Sequence, residues 1–219
     1  MKMLKMTARV GIYSFGMLVL AFGVAFSINA NLGISPVSSF PISVHMASGM
    51  GAGFSNSLFF VVCVLLQLAI LRKDFHWIQF TQILFTFLFG FFIDAAIWIV
   101  GDFTLPTYFG QLVMLGLSIA CISIGLAIYL EARLVPLPAE GVVLAFMQKY
   151  PNLTFQRIKV VLDCTLVAFS IATTLFFMGG IYGVREGTII TALLVGRLTP
   201  IVRRVVEKTL KPAALYENV

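Results

Sequence analysis

Charge is scarce in this chain. Only 11% of the 219 residues are Asp, Glu, Lys or Arg, whereas 60% are hydrophobic. A soluble domain carries about 25% charged residues, which it needs to cover its surface. The low charge and the mean hydropathy of +1.01 therefore exclude an ordinary soluble enzyme, a disordered chain and a secreted disulfide scaffold. They indicate a membrane protein with several spans, whose first partner is the lipid bilayer.

Residues that usually carry catalysis or bind metals are also few. The three cysteines, Cys63, Cys121 and Cys164, lie in apolar runs without CxxC spacing, and the two histidines are far apart. This pattern is not typical of a metal site or a disulfide framework. The glycine-rich loops of nucleotide sites and the nucleophile motifs of hydrolases are missing as well. We therefore expect no metal, no cofactor and no enzymatic activity.

Apolar runs, by contrast, are abundant. Six stretches reach the roughly 20 residues that a membrane-spanning helix needs. They cover residues 9–30, 54–71, 77–100, 109–130, 156–178 and 186–203. Two further segments, 36–50 and 138–150, are too short or too polar to span. Each opens with a proline, Pro36 or Pro138, which is favourable in the first turn of a helix, so each predicts a short helix.

Basic residues predict the orientation. If the two short segments do not cross the membrane, thirteen of the fifteen Lys and Arg residues lie on one side, which the positive-inside rule makes cytoplasmic. Both termini are then cytoplasmic, in the inner (plasma) membrane of a bacterium. The short segments become re-entrant or interfacial. This loop distribution also disfavours a nucleic-acid partner, which would require basic residues clustered with exposed aromatics.

The two halves of the chain resemble each other weakly. Residues 30–36 align with 132–138 at an offset of 102, and residues 81–90 align with 187–196 at an offset of 106. We predict two repeats, 1–106 and 107–219, the second ending in a cytoplasmic tail. Three spans in each repeat force the second copy to enter the membrane inverted, as in many transporters. The predicted fold is an all-α membrane protein with six spans and two short re-entrant helices in two inverted repeats.

Two motifs carry a family resemblance. The segment INANLGISP at 28–36 is similar to the "alkaAdLGvsP" signature of the YczE/YitT-type bacterial integral membrane proteins. The segment GGIYGVREGT at 179–188, followed by Gly196, resembles the late "GG-x-x-G-x-GT … G" pattern of that family. The resemblance covers roughly 9–205 and implies a multi-span inner-membrane protein without a defined molecular activity. The acidic residue usual after the first motif's proline is absent here.

Ionisable residues inside a membrane are costly and suggest a function by default. Glu140, in the first turn of the second short helix, is either stabilised by the helix dipole or a cavity-facing site for a proton or cation. Ser38 and Ser39, at the matching place in the first half, either cap their helix or line a solute path. Asp163 follows Lys159 by four residues, which predicts a local ion pair on one helix face.

Asp94 and Arg197 lie just past the repeat-equivalent Gly90 and Gly196. We expect either a structural ion pair between them or a pair that opens during transport. Arg197 is also a candidate anion-binding group, because its guanidinium keeps its charge and binds carboxylate through a planar fork. Gly90, Gly196 and Gly187 are expected to allow close helix packing.

Two functions remain open. The first is a small-solute transporter or channel with a midplane site between the repeats. Helix N-termini and Arg197 would favour an anionic or zwitterionic solute there. The alternative is a non-transporting accessory or regulatory protein of a larger complex. A homodimer is compatible with the small size of the chain under either function.

Overall fold

The computed structural model describes the backbone of residues 2–210 and the side chains of residues 6–209. Within these limits the chain is all-helical, with eight α-helices. They are α1 (Lys2–Ala30), α2 (Pro36–Ser48), α3 (Ala52–Leu71), α4 (Thr81–Val100), α5 (Tyr108–Glu131), α6 (Pro138–Lys149), α7 (Phe155–Met178) and α8 (Glu186–Leu210). Two short 3-10 helices, Arg72–Asp74 and Trp77–Phe80, link α3 to α4. The predicted C-terminal tail after residue 203 is helical as far as Leu210, as part of α8, and residues 211–219 lie outside the described part of the chain.

Five segments are long and apolar enough to cross a membrane by length and composition. They are Met6–Ala30, Ala52–Asp74, Trp77–Val100, Tyr108–Glu131 and Phe155–Met178. The sequence predicts six, and the segment not included is 186–203. This segment is helical, as part of α8, but Glu186, Arg197 and Arg203 make it more polar than the others. The multi-pass membrane class is confirmed, whereas the sixth span remains a prediction.

The two short helices owe their ends to proline and glycine. Each begins at a proline, Pro36 in α2 and Pro138 in α6, whose missing N–H costs nothing in a first helical turn. Helix α2 ends at Gly49, which adopts the left-handed conformation with φ of 73°, the usual way in which glycine terminates a helix.

Helices α1 and α5 lie at the centre, with their backbones in contact. A Cβ atom on Gly16 would come 2.5 Å from the backbone nitrogen of Tyr129, and one on Gly125 would come 2.7 Å from the carbonyl oxygen of Gly16. The Ser118 hydroxyl donates a hydrogen bond of 2.8 Å to the carbonyl of Gly23. Small residues of this kind drive helix association in membranes, where burial from water is not available as a force.

Helices α3 and α4 approach each other equally closely. A Cβ atom on Gly53 would lie 1.9 Å from the carbonyl oxygen of Gly90, and one on Gly90 would lie 2.1 Å from the Ser57 hydroxyl oxygen. Around these central contacts, α2 packs on α7 and α3, α6 packs on α3 and α7, α4 packs on α1, and α8 packs on α5. The consecutive helices α7 and α8, in contrast, form no substantial packing contact within the described part of the chain.

The first prediction uses two glycines at equivalent sequence positions. Gly90→Ala should destabilise the protein by about 1–3 kcal/mol, because the new methyl group overpacks the α3–α4 contact. Gly196→Ala is the matched control. No atom lies within 4 Å of its Cβ position, so alanine should be neutral or stabilise α8 by up to about 1 kcal/mol. SDS unfolding followed by far-UV circular dichroism measures both. Equal changes in the free energy of unfolding would contradict the finding that α3 and α4 are closely packed at Gly90 whereas Gly196 of α8 faces open space.

Candidate functional site: a buried carboxyl at the start of α6

The first turn of α6 is held in the core by two glutamines from other helices. Gln67 of α3 donates its side-chain amide to the carbonyl of Pro138 at 3.0 Å. The Gln67 and Gln82 amides also pair with each other, at 3.1 and 3.3 Å. Gly141 lets this pair approach, because a Cβ there would lie 2.6 Å from the amide nitrogen of Gln67. The start of α6 is therefore positioned by polar bonds that are shielded from solvent.

Glu140 lies in this turn, and its carboxyl group faces the Tyr129 hydroxyl of α5. Neither the Tyr129 hydroxyl nor the Oε2 atom of Glu140 has a hydrogen-bond partner at normal distance and angle, although both atoms are buried. Buried polar groups are almost always paired. These two groups, which face each other, are therefore a candidate site for a proton, a cation or a donor group from a ligand.

Charged and aromatic groups surround this carboxyl. Lys159 and Asp163 of α7 both act on Glu140 electrostatically, and they form an ion pair with each other. Tyr13 of α1 donates its hydroxyl to the carbonyl of Val135 at 3.0 Å. Its ring meets the ring of Tyr129 edge-on, with centroids 5.6 Å apart. We refer to these five side chains, Glu140, Tyr129, Tyr13, Lys159 and Asp163, as the α6 carboxyl site.

This donor set suits a proton or an organic cation better than a metal ion. It offers carboxylates and phenols, but also a lysine ammonium, which repels a metal. Among the described residues, no group of three or more His, Cys, Asp or Glu side chains is placed to hold a metal.

The matching turn of α2 is held by its own bonds. The Ser39 hydroxyl donates to the carbonyl of Pro36 at 2.7 Å, and the Ser39 carbonyl accepts from the Ser170 hydroxyl of α7 at 3.1 Å. Ser39 is fully buried, whereas Ser38 is half-buried. Neither serine caps α2, which has no side-chain cap hydrogen bond, so the solute-path interpretation of Ser38 and Ser39 stays a prediction.

The structure does not bring Asp94 and Arg197 together, so the ion pair that the sequence suggests is not formed. Asp94 instead accepts a hydrogen bond of 2.7 Å from the backbone nitrogen of Gly53. Helix α3 has no side-chain cap of its own, and Asp94 supplies an acceptor for one of its free N–H groups. Arg197 lies exposed on α8 beside Gly196, away from the α6 carboxyl site. Their helices, α4 and α8, do not pack substantially on each other.

Gly187 serves close packing, but against a loop and not a helix. Its backbone nitrogen donates to the carbonyl of Leu32 at 2.7 Å, and a Cβ atom would lie 2.5 Å from the same oxygen. The backbone nitrogen of Ile34 donates to the carbonyl of Gly183 at 2.8 Å. These two bonds join the loop before α2 to the segment before α8.

An arginine cluster, made of Arg9, Arg133 and Arg203, lies at one end of the bundle. From the sequence, these arginines predict only the orientation of the chain in the membrane. The Glu131 side chain, 1% exposed, pairs with Arg203 at 3.1 Å and with Arg133 at 3.8 Å. Arg9 of α1 donates to the carbonyl of Ala132 at 2.9 Å. The sequence indicates this cluster only through Glu131, an acidic residue at the very end of an apolar span and two positions before Arg133. Tyr13, Tyr129 and Gln67 were missed because polar groups that stand singly in apolar runs show no pairing along the chain.

An all-helical bundle with five apolar spans and a carboxyl group buried inside it defines an integral membrane protein. The chain belongs to the Family of unknown function (DUF6198), whose pattern matches residues 7–204. It is 29% identical over 186 residues to the "Uncharacterized membrane protein YczE" of Bacillus subtilis (strain 168), covering 84% of this chain and 80% of the relative. It is 24% identical over 198 residues to the "Uncharacterized protein YyaS" of the same organism, covering 90% and 92%. The resemblance to YczE-type proteins is thereby confirmed. No solved structure matches.

The glutamine pair generates the second prediction. A double-mutant cycle of Gln67→Ala and Gln82→Ala should give a coupling energy of about 0.6–1.7 kcal/mol, the range for hydrogen bonds between membrane helices. SDS unfolding of the two single variants and the double variant measures it. Gln111→Ala paired with Gln82→Ala is the control and should be additive, because Gln111 has no bond to this pair. Additive effects of the Gln67 and Gln82 changes would show that the bond does not hold α6 in place.

Proposed function

We propose that this protein is a small-solute transporter of the bacterial inner membrane with both termini in the cytoplasm. Its solute site is the α6 carboxyl site, and transport proceeds by alternation between two packings of two inverted repeats. The observation that carries the proposal is that most helix contacts have a counterpart when the two repeats are exchanged, whereas the close α3–α4 contact has none between α7 and α8.

The central α1–α5 contact supports two equivalent repeats at the level of single residues. Moving Gly16 forward by 102 positions gives Ser118, and moving Gly125 back by 102 gives Gly23. The contact between Gly16 and Gly125 thus maps onto the hydrogen bond between Ser118 and Gly23. A contact that maps onto another contact in this way is what a two-fold relation between α1 and α5 requires.

The ends of these two helices agree with the same offset. Asn31 and Arg133 follow α1 and α5, and both have positive φ, 54° and 50°. Residues other than glycine adopt this conformation rarely. Its occurrence at two positions 102 apart supports a shared chain path after the first helix of each repeat.

Contacts between whole helices follow the same rule. Exchange of the repeats turns α2–α7 into α6–α3, α1–α4 into α5–α8, and α2–α3 into α6–α7, and all six contacts are present. The bond from Gln67 to the first turn of α6 has a counterpart in the bond from Ser170 to the first turn of α2. These correspondences support the division at residue 106 and an inverted second repeat.

Within the described residues, two contacts have no substantial counterpart. The smaller is α2–α8, which α6 and α4 do not repeat, and the larger is α3–α4. Helices α3 and α4 are packed through Gly53 and Gly90, whereas their counterparts α7 and α8 stand apart and Gly196 faces open space. Two repeats with similar sequences but different packing are what one state of an alternating transporter would contain. In the second state, α7 and α8 would close through Gly196 while α3 and α4 separate.

The charges of the α6 carboxyl site indicate the class of solute. Glu140 attracts a positive group, while Lys159 and the N-terminus of α6 attract a negative one. A small zwitterion presents both groups. The buried, unpaired oxygen of Glu140 is the place where its ammonium group, or a coupled proton, would be held. Arg197, which lies elsewhere, is not part of this site.

The third prediction concerns access to the site. Single cysteines are introduced as Ser38→Cys and Glu140→Cys after Cys63, Cys121 and Cys164 are replaced by alanine. Both should react with a charged, membrane-impermeant methanethiosulfonate, and labelling of one should slow labelling of the other if they line one aqueous path.

Leu112→Cys, on an exposed apolar face of α5, is the matched control and should stay unreactive, because lipid excludes the charged reagent. If position 140 is as unreactive as position 112 from both sides of the membrane, the site is not accessible to a solute and the transporter proposal fails.

A second candidate function is based on the same separation of α7 and α8. Gln156 and Val160 on α7, and Ala192 and Gly196 on α8, are exposed. This surface would suit a helix of another membrane protein, which corresponds to an accessory or regulatory role. In that case α7 and α8 would never close on each other, a difference that cross-linking of these two helices detects.

A further inference from the structure

An apolar groove lies between α1, α5 and α8, at the end of the bundle that carries the arginine cluster. Its volume is about 540 Å³. Eight residues from three helices line it: Ala8, Gly11, Ile12 and Phe15 of α1, Ile128 of α5, and Val205, Val206 and Thr209 of α8. Nearly all of the lining is hydrocarbon, so the groove is suited to an acyl chain and not to a polar solute.

Basic residues are close in sequence to the residues of α1 and α8 that line the groove. Arg9 lies three residues before Ile12, and Arg203, Arg204 and Lys208 alternate with the lining residues of α8. The acidic residues nearby are Glu131 and Glu207. The Glu131 carboxylate is shared between Arg203 and Arg133. The rim of the groove is therefore net positive.

The last part of α8 has the pattern of a helix that lies at a membrane surface. After Pro200, which interrupts the helical hydrogen bonding, apolar residues alternate with basic ones. Ile201 and Val205 are exposed at 57% and 61%. Basic amphipathic helices of this kind bind anionic lipids through hydrocarbon burial combined with charge attraction.

We propose that this groove binds an anionic phospholipid. One acyl chain fills the space between Gly11 and Val205, and the phosphate contacts Arg204 and Lys208. Gly11 is required because the absence of a side chain leaves the groove open, and no atom lies within 4 Å of its Cβ position. The inference is independent of the transported solute, since the groove shares no residue with the α6 carboxyl site.

Native mass spectrometry of the detergent-purified full chain tests the inference, by titration with dioleoyl phosphatidylglycerol or dioleoyl phosphatidylcholine. Phosphatidylglycerol should bind at least about tenfold more tightly. Arg204→Gln combined with Lys208→Gln should remove most of this preference, because each basic residue near an anionic headgroup contributes a factor of about five. Arg72→Gln combined with Lys73→Gln, whose side chains are basic and exposed but lie outside the groove, should leave the preference unchanged.

A leucine side chain that fills the groove distinguishes binding of the acyl chain from binding of the headgroup. Gly11→Leu should weaken binding of both lipids, whereas Gly116→Leu, which also has open space at its Cβ position, should not. Equal affinity for the two lipids would overturn the proposal. Full binding by Gly11→Leu would also overturn it, because it would mean that only the headgroups adsorb. Displacement of the lipid by millimolar inorganic phosphate would overturn it as well, because it would mean that the site binds phosphate.

Discussion

Backbone contact between α1 and α5 is the constraint on which the rest of the structure depends. The hydrocarbon interior of a membrane offers no water to satisfy backbone groups and no hydrophobic force to join helices. Helices there associate when small residues let their backbones meet. Gly16, Gly23, Gly125 and Ser118 provide this contact. In the proposed two-repeat arrangement, each of these residues has a counterpart in the other half of the chain, and the contact lies on the axis that relates the two repeats.

Around that axis, polar residues act mainly as bonds between helices. Gln67 and Gln82 fix the start of α6, Ser170 fixes the start of α2, and Asp94 caps α3. Glu140 differs from them, because its buried Oε2 atom has no hydrogen-bond partner at normal distance and angle. This difference supports the proposal that Glu140 is a binding group.

Much of the architecture could be predicted from the sequence, because helix length and hydropathy are local properties. The apolar stretches and the prolines at positions 36 and 138 predict six of the eight helices within a few residues. Helix α1 begins seven residues earlier than predicted, and α8 ends seven residues later, because charged residues at their ends hide the helix from a hydropathy pattern. The local pair of Lys159 and Asp163 could also be anticipated, since residues four apart share a helix face.

The site itself could be predicted only in part. Glu140 stands out as an acid after a helix-initiating proline, but its neighbours Tyr13 and Tyr129 come from α1 and α5, and no spacing along the chain links them. The pairing expected for Asp94 and Arg197 failed for the opposite reason. Their positions are related by sequence, but α7 and α8 do not pack as α3 and α4 do, so α8 does not present Arg197 to an equivalent surface.

Disulfide trapping of the two helix pairs tests alternation most directly. Ser57→Cys with Thr86→Cys spans α3 and α4, where the Ser57 hydroxyl lies 3.3 Å from the carbonyl oxygen of Thr86. Val160→Cys with Ala192→Cys spans α7 and α8, where Ala192 is the counterpart of Thr86 at the offset of 106. In a cysteine-free background in native membranes, alternation predicts that each pair cross-links alone and that a four-cysteine variant forms one bond or the other, but not both in one molecule. Cross-linking of the α3–α4 pair alone, with α7 and α8 never joined, would contradict alternation and favour the accessory function.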